Sequence, residues 1–167
     1  YAPLLISCLE ENTEDVQLHI TNDTKDVKEG TVLWQLRKND GTTVKQGEYG
    51  FRAEPQSAQK ILSLNLSKEL SSERSRRSCF LEYSAVVDGK TVSKSCTIFV
   101  RPKSFTFLNP EFSLAIEETP SKFILHIKSR NFAKGVLLDL RDGDCIFEDN
   151  FFDICGRHTV SVDKTSL

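Results

Sequence analysis

Six oxygen-bearing side chains lie close together near the C-terminal end of the sequence. They are Asp142, Asp144, Glu148, Asp149, Asn150 and Asp153. Oxygen ligands at this density could bind calcium, but their spacing does not match an EF-hand loop. Paired carboxylates could also catalyse glycoside hydrolysis, but nothing in the sequence fixes a pair in a pocket. A hairpin turn followed by a corner explains the cluster equally well.

Other residues that could carry out chemistry are sparse. The three histidines are His19, His126 and His158, and neither a His-x-x-x-His nor a Cys-x-x-Cys spacing occurs, which argues against zinc. The sequence also has no Gly-x-Ser-x-Gly elbow and no phosphate-binding glycine-rich loop. We therefore predict no catalytic residue, no metal and no cofactor.

Five cysteines are an odd number, and Cys79 and Cys96 are the obvious candidates for a disulfide. They flank the turn Val87-Asp88-Gly89-Lys90. If Val87 faces Lys90, the two cysteines are diagonal neighbours about 7–8 Å apart at Cα, too far for an unstrained disulfide. We predict reduced thiols, which favour a cytoplasmic location. The triplets Asn22-Asp-Thr24 and Asn65-Leu-Ser67 would matter only in a secreted eukaryotic protein.

Length and charge exclude several classes of protein. A chain of 167 residues suits one or two domains, and its net charge of −2 argues against nucleic-acid binding. No apolar run approaches the roughly 20 residues of a membrane helix. The chain begins at Tyr1 without an initiator Met, so we expect an excised fragment or a processed chain.

Alternation of apolar and polar residues predicts strands with one buried and one wet face, as in antiparallel sheets. Asp40-Gly41, Asp88-Gly89 and Asp142-Gly143 separate alternating runs and predict tight hairpin turns. The one plausible helical turn lies near residues 67–74. The apolar positions of the predicted strands are Val16, Leu18, Ile20, Val32, Trp34, Leu36, Leu62, Leu64, Leu66, Cys79, Leu81, Tyr83, Ala85, Phe112, Leu114, Ile116, Phe123, Leu125, Ile127, Val136, Leu138 and Leu140.

One design occurs twice in the sequence. Leu18-His-Ile20 precedes Val32-Leu-Trp-Gln-Leu-Arg37, and Leu125-His-Ile127 precedes Val136-Leu-Leu-Asp-Leu-Arg141. We predict two tandem immunoglobulin-like antiparallel β-sandwich domains, residues 1–101 and 102–167, with the second smaller and truncated. Seven strands are expected in the first domain and five or six in the second. Trp34 is assigned to the first core because its neighbours Val32 and Leu36 share its face, although sugar stacking is a minor alternative.

Residues 136–162 resemble the C-terminal end of β-mannosidases in glycoside hydrolase family 2. The resemblance rests on Val136-Leu-Leu-Asp-Leu140, then Phe147-Glu-Asp-Asn-Phe-Phe-Asp153, then Gly156 and Thr159-Val-Ser-Val162. The family motif has Ser and Tyr where this chain has Glu148 and Phe151. The usual Pro-Gly-Glu turn is replaced by Cys155-Gly156-Arg157.

The resemblance implies a non-catalytic fragment of a retaining exo-hydrolase that acts on terminal β-mannosides. That family's catalytic glutamates lie on a (β/α)8 barrel of roughly 250 residues, which this chain is too short to form. The resemblance therefore implies a structural role for Asp149, Asn150, Phe151 and Phe152, in a corner where Asp or Asn caps backbone amides and aromatic rings pack between domains.

The partner that this resemblance implies is the catalytic barrel of the same polypeptide, with homo-oligomer contacts as an option. Two other functions are kept open. The chain could be a stand-alone carbohydrate-binding or adhesion module, or a structural spacer without a partner.

Overall fold

The structure, a computed structural model, describes residues 3–10, 14–141 and 143–166, the last of them by its backbone alone. It divides into two compact units. The first holds the chain up to Lys38 and Thr42–Thr106, and the second holds Asn39–Gly41 and the chain from Phe107 onward. The domain bounds 1–101 and 102–167 stay a prediction.

The first unit is a β-sandwich, and every strand pairing in it is antiparallel. One sheet has the strand order β1-β2-β5 and the other β4-β3-β6-β7. The prediction of an all-β, immunoglobulin-like fold is confirmed. The strands are β1 (Leu4–Glu10), β2 (Asp15–Asn22), β3 (Lys28–Lys38), β4 (Thr43–Ala53), β5 (Ser57–Asn65), β6 (Cys79–Val87) and β7 (Lys90–Ile98).

Alternate residues of these strands form the core between the two sheets, because side chains on a strand point to opposite faces in turn. Val16, Leu18 and Ile20 of β2 are almost completely buried, as are Val32 and Leu36 of β3. Trp34 is 8% exposed and belongs to the same cluster.

The turns use residues that tolerate a left-handed backbone. Asp88 and Gly89 between β6 and β7 have φ of 50° and 74°, the positive angles of a two-residue hairpin turn. Gly41, at φ 85°, lies in the turn between β3 and β4. Helix α1 (Glu73–Ser78) lies between β5 and β6 in the chain, and none of its residues is buried.

Helix α1 begins later than the predicted segment 67–74. Ser72 caps it, because its hydroxyl accepts from Ser75 N at 3.1 Å and Ser75 Oγ accepts from Ser72 N at 3.2 Å. Ser67 instead donates to Asn65 Oδ1 at 2.6 Å, which forms a turn before the helix. Serine favours turns and caps over helix interiors, so the start of the helix was misplaced.

The predicted register of the β6–β7 hairpin is wrong beyond its first two pairs. Val87 faces Lys90, but Ala85 faces Ser93 and Glu82 faces Cys96. One extra residue in β7 forms a bulge and moves each later residue by one position. Cys79 and Cys96 therefore lie on opposite faces of the sheet rather than diagonally on one face. No disulfide joins any of the five cysteines, all of which lie in the described part of the chain.

The second unit has three described strands, fewer than the five or six predicted. They are β8 (Ser113–Glu118), β9 (Lys122–Val136) and β10 (Phe152–Asp163), and the sheet has the order β10-β9-β8. Its core contains Ile127, Phe152, Ile154 and Val160.

The predicted strand Val136–Leu140 is wrong. Strand β9 ends at Val136, just after Gly135 at φ 63°, and residues 137–140 form no ladder. Leu138 is half-buried and lies outside any strand, so it does not share the strand position of Trp34. In the predicted turn Asp142-Gly143, Asp142 lies outside the described residues.

The burial predicted for Phe112, Leu114 and Ile116 is also wrong. Their exposed fractions are 49%, 56% and 61%, respectively. Strand β8 is an edge strand, and among the described residues no second sheet covers its apolar side chains. The alternation gave the correct face for these side chains, but it could not show whether another layer covers that face.

Within the described residues, no helix is both long and apolar enough to cross a membrane.

Candidate functional site

Asn150 is the centre of the predicted corner. Its Oδ1 accepts hydrogen bonds from Leu138 N at 2.7 Å and Phe151 N at 3.0 Å. Its Nδ2 donates to Leu138 O at 2.9 Å. One side-chain amide therefore satisfies both backbone groups of Leu138 and replaces the ladder that residues 137–140 lack. The amide of Asn donates and accepts at the same time, whereas the ionised carboxylate of an Asp at this position could only accept.

Asp149 caps no amide of this corner and instead contacts a histidine. His158 Nε2 lies 2.9 Å from Asp149 Oδ2. The ring of Phe152 lies against the His158 ring, with 4.0 Å between centroids and 30° between planes. Phe152 is buried in the core of the second unit, so these contacts hold His158 between an aromatic ring and a carboxylate.

Phe151 has the opposite environment. It is 71% exposed, and its φ is 63°, a left-handed conformation that is uncommon for a bulky residue. The hydrogen bond from its backbone N–H to Asn150 is part of the same corner. The interdomain packing expected for this ring stays a prediction.

Two further acidic residues of the cluster, Asp153 and Glu148, bind separate partners. Asp153 accepts from Lys134 Nζ and from Gly135 N, each at 2.8 Å. Ser161 Oγ donates to Glu148. Among the described residues, no three His, Cys, Asp or Glu side chains are arranged to bind a metal ion. Asp142 of the sequence cluster lies outside that part of the chain.

The three histidines lie on strands β2, β9 and β10, and each has a polar neighbour. His19 Nε2 is 3.2 Å from Gln17 Oε1, and His126 Nε2 is 3.3 Å from Glu117 Oε2. Burial raises the pKa of the Cys8 thiol to about 11. A thiol with so high a pKa is mostly protonated at neutral pH and is a poor nucleophile.

Sequence reasoning missed the partner of Asp149. His158 is nine residues further along the chain and lies on β10, whereas Asp149 lies outside any strand, so no local motif joins the two. The feature that could have indicated the contact between Asp149 and His158 is the short loop between Phe147 and β10. Phe147 bridges to Val162, which returns the loop to the strand that carries His158. The structural role of Asp149, Asn150, Phe151 and Phe152 stays a prediction.

Two family models match the chain. The Mannosidase Ig/CBM-like domain matches residues 14–104, and an Ig-fold domain of mannosidases matches residues 107–166. No curated protein sequence matches the chain.

Solved structures of glycosidases share the fold. One is a β-D-mannosidase from Dictyoglomus thermophilum, with a TM-score of 0.83, 16% identity and 97% of this chain covered. Another is the exo-chitosanase CsxA from Amycolatopsis orientalis, with a TM-score of 0.65, 14% identity and 97% coverage. This chain spans only 20% of the first of these proteins and 23% of the second.

The resemblance to the immunoglobulin-like domains of β-mannosidases is confirmed by these findings. Domains of this kind are typical of glycoside hydrolase family 2 enzymes. An Ig-fold domain follows the Mannosidase Ig/CBM-like domain in the chain. Because a single model matches more than half of its residues, the chain belongs to the Mannosidase Ig/CBM-like domain family.

Proposed function

We propose that this chain is the non-catalytic C-terminal accessory part of a β-mannosidase-like glycoside hydrolase. The observation that carries the proposal is the match of both halves to domains of mannosidases, over residues 14–104 and 107–166. The parent enzyme would hydrolyse terminal β-D-mannosides with retention. Its catalytic barrel, on the same polypeptide, is the proposed partner.

The corner at Asn150 gives this accessory role a physical basis. Its hydrogen bonds fix the backbone of residues 138 and 151. The polar groups of Asn150 bind the backbone of the same chain. Such a rigid corner suits a domain that braces a neighbouring domain or shapes the rim of an active site. The cytoplasmic location expected from reduced thiols stays a prediction.

An assay of the 167-residue chain on p-nitrophenyl β-D-mannoside tests the absence of activity. We expect no release of p-nitrophenol above the uncatalysed rate. Turnover that persists through purification, and that disappears on unfolding of this chain, would contradict the proposal. The coding sequence upstream of Tyr1 tests the parent: a (β/α)8 barrel with two glutamates at strand ends is expected there.

A carbohydrate-binding function is the second candidate. The name of the family model that matches residues 14–104 includes a carbohydrate-binding-like fold, which is the observation in its favour. Titration calorimetry with mannan oligosaccharides separates the two. Micromolar affinity for the isolated chain would favour a binding module, whereas no measurable heat supports the accessory role.

A further inference from the structure

The sheet of the second unit has one face turned away from its core. Ile127 is 4% exposed and lies in a cross-strand row with Leu114 and His158. Because successive residues point to opposite faces, the rows on either side of Ile127 point outward. One outward row is Ser113, Lys128 and Arg157, and the other is Ala115, His126 and Thr159.

A shallow trough of about 320 Å³ is lined by these two rows and the row between them. Its short side chains, at Ser113, Ala115 and Thr159, leave room between the longer ones. None of its lining residues is acidic, and Lys128 and Arg157 provide two positive charges.

Lys128 and Arg157 are directly opposite each other on β9 and β10. Like charges in that position are destabilising, so a nearby carboxylate is expected. The other cations of these two strands have one: Lys122 binds Asp163 at 3.9 Å, Arg130 binds Glu111 at 3.1 Å and Lys134 binds Asp153 at 2.8 Å. The side chains of Lys128 and Arg157 have no ion-pair or hydrogen-bond partner within the residues that the structure describes.

We propose that this trough binds a dianionic oxyanion, the phosphate monoester group of a small molecule, at Lys128 and Arg157. Side chains directly opposite each other have Cβ atoms roughly 5 Å apart, so both cations can reach one tetrahedral group. The guanidinium can bind two of its oxygens in a fork, and the ammonium binds as a point charge. A carboxylate carries a single charge and would neutralise only half of the pair. The site is separate from the proposed accessory function.

The first experiment is a titration of the ¹⁵N-labelled 167-residue chain with sodium phosphate, followed by amide chemical shifts. Sodium chloride keeps the ionic strength constant. We expect saturable shifts confined to residues 113–115, 126–128 and 157–159. Parallel titrations with sodium sulfate, glucose 6-phosphate and glucose separate a free ion from an ester. Binding of inorganic ions with no binding of the ester would assign a free-ion site, whereas glucose should produce no shift.

Variants connect the binding to the two cations. Lys128→Gln and Arg157→Gln should each weaken phosphate binding at least about fivefold, and the double variant should abolish it. Lys60→Gln, which removes an exposed cation of β5, is the matched control and should bind as the original chain does. Because these substitutions relieve like-charge repulsion on an exposed face, the melting temperature should not fall.

Three results would overturn the proposal. One is shifts that do not saturate, and another is an equal loss of binding in Lys60→Gln. The third is binding of poly-glutamate peptide without binding of phosphate, which would make the trough a surface for acidic protein segments.

Discussion

Asn22 is a fully buried polar residue that organises the loops around β2. Its Nδ2 donates to Asp26 O at 2.9 Å and to the carbonyls of Ala53 and Glu54, each at 3.1 Å. Its Oδ1 accepts from Thr24 N at 3.0 Å and Thr24 Oγ1 at 2.7 Å. The sequence singled out Asn22 only as the start of a glycosylation triplet, whereas its contacts assign it to the interior.

Asn22→Ala should lower the free energy of unfolding by about 2–4 kcal/mol, because buried carbonyls lose their donor. Asn65→Ala is the control: Asn65 also begins a triplet, but it is exposed and bonds Asp15 Oδ1 at 2.6 Å. That change should cost about 1 kcal/mol or less. Urea unfolding measures both, and equal losses would contradict the assignment of Asn22 to a buried network.

Cys8 should react slowly with alkylating agents in the folded chain. Its thiol pKa of about 11 lies three units above pH 8, so roughly 0.1% is thiolate there. In the unfolded chain, an ordinary pKa of about 8.5 gives a thiolate fraction roughly two hundredfold larger. Iodoacetamide labelling at pH 8 with peptide mass spectrometry should show Cys8 modified mainly after unfolding in urea. Rapid labelling of Cys8 in the native chain would contradict the burial.

At the scale of single elements, strand β4 is shaped by its contact with Trp34. A Cβ added at Gly47 would lie 2.7 Å from Cζ2 of that ring, closer than real contacts allow. The indole therefore packs directly against the backbone at Gly47. Trp34 of β3 leaves no room for a side chain at the opposite position of β4.

Gly47→Ala should cost about 1–3 kcal/mol, because the indole must shift in a packed core. Gly50→Ala in the same strand is the matched control, since its added Cβ would meet only Gly30 O at 4.0 Å. It should be neutral or slightly stabilising, because alanine reduces the freedom of the unfolded chain. Thermal unfolding distinguishes them, and the same melting temperature for both variants would rule out the clash.

Strand β8 is the element for which the alternation pattern misled. Ile116→Lys should change the free energy of unfolding by no more than about 0.5 kcal/mol, since Ile116 is 61% exposed. Ile127→Lys on the neighbouring strand should cost more than about 3 kcal/mol, because it buries an unpaired charge. Denaturant unfolding tests the pair. A large loss with Ile116→Lys would mean that β8 is covered after all.

At the scale of the whole molecule, the two units differ in how much apolar surface they bury. The first has two sheets facing each other over a core from Leu4 to Phe99. The second has a three-stranded sheet whose edge strand exposes its apolar residues. A small sheet with an uncovered face is marginal in water.

Residues 1–106 expressed alone should therefore unfold cooperatively, whereas residues 107–167 alone should not. Circular dichroism during heating and the dispersion of amide signals measure this. The intact 167-residue chain is the control, because its second unit provides the reference spectrum. A sharp, independent transition of 107–167 would show that its small core suffices.

The sequence by itself determined the antiparallel fold, the first core and the hairpin at Asp88-Gly89. Period-two alternation and residues that tolerate positive φ act over a few positions, so local patterns report them. The same alternation placed Trp34 among Val32 and Leu36 on one face of β3.

Only the tertiary structure decided the features that depend on distant chain segments. A bulge in β7 moved Cys96 to the face opposite Cys79, and the side chain of Asn150 replaced a strand at Leu138. Whether a second layer covers β8, and which residue meets Asp149, also depends on distant segments. A strand's pattern specifies which side chains share a face, but only packing determines what that face meets.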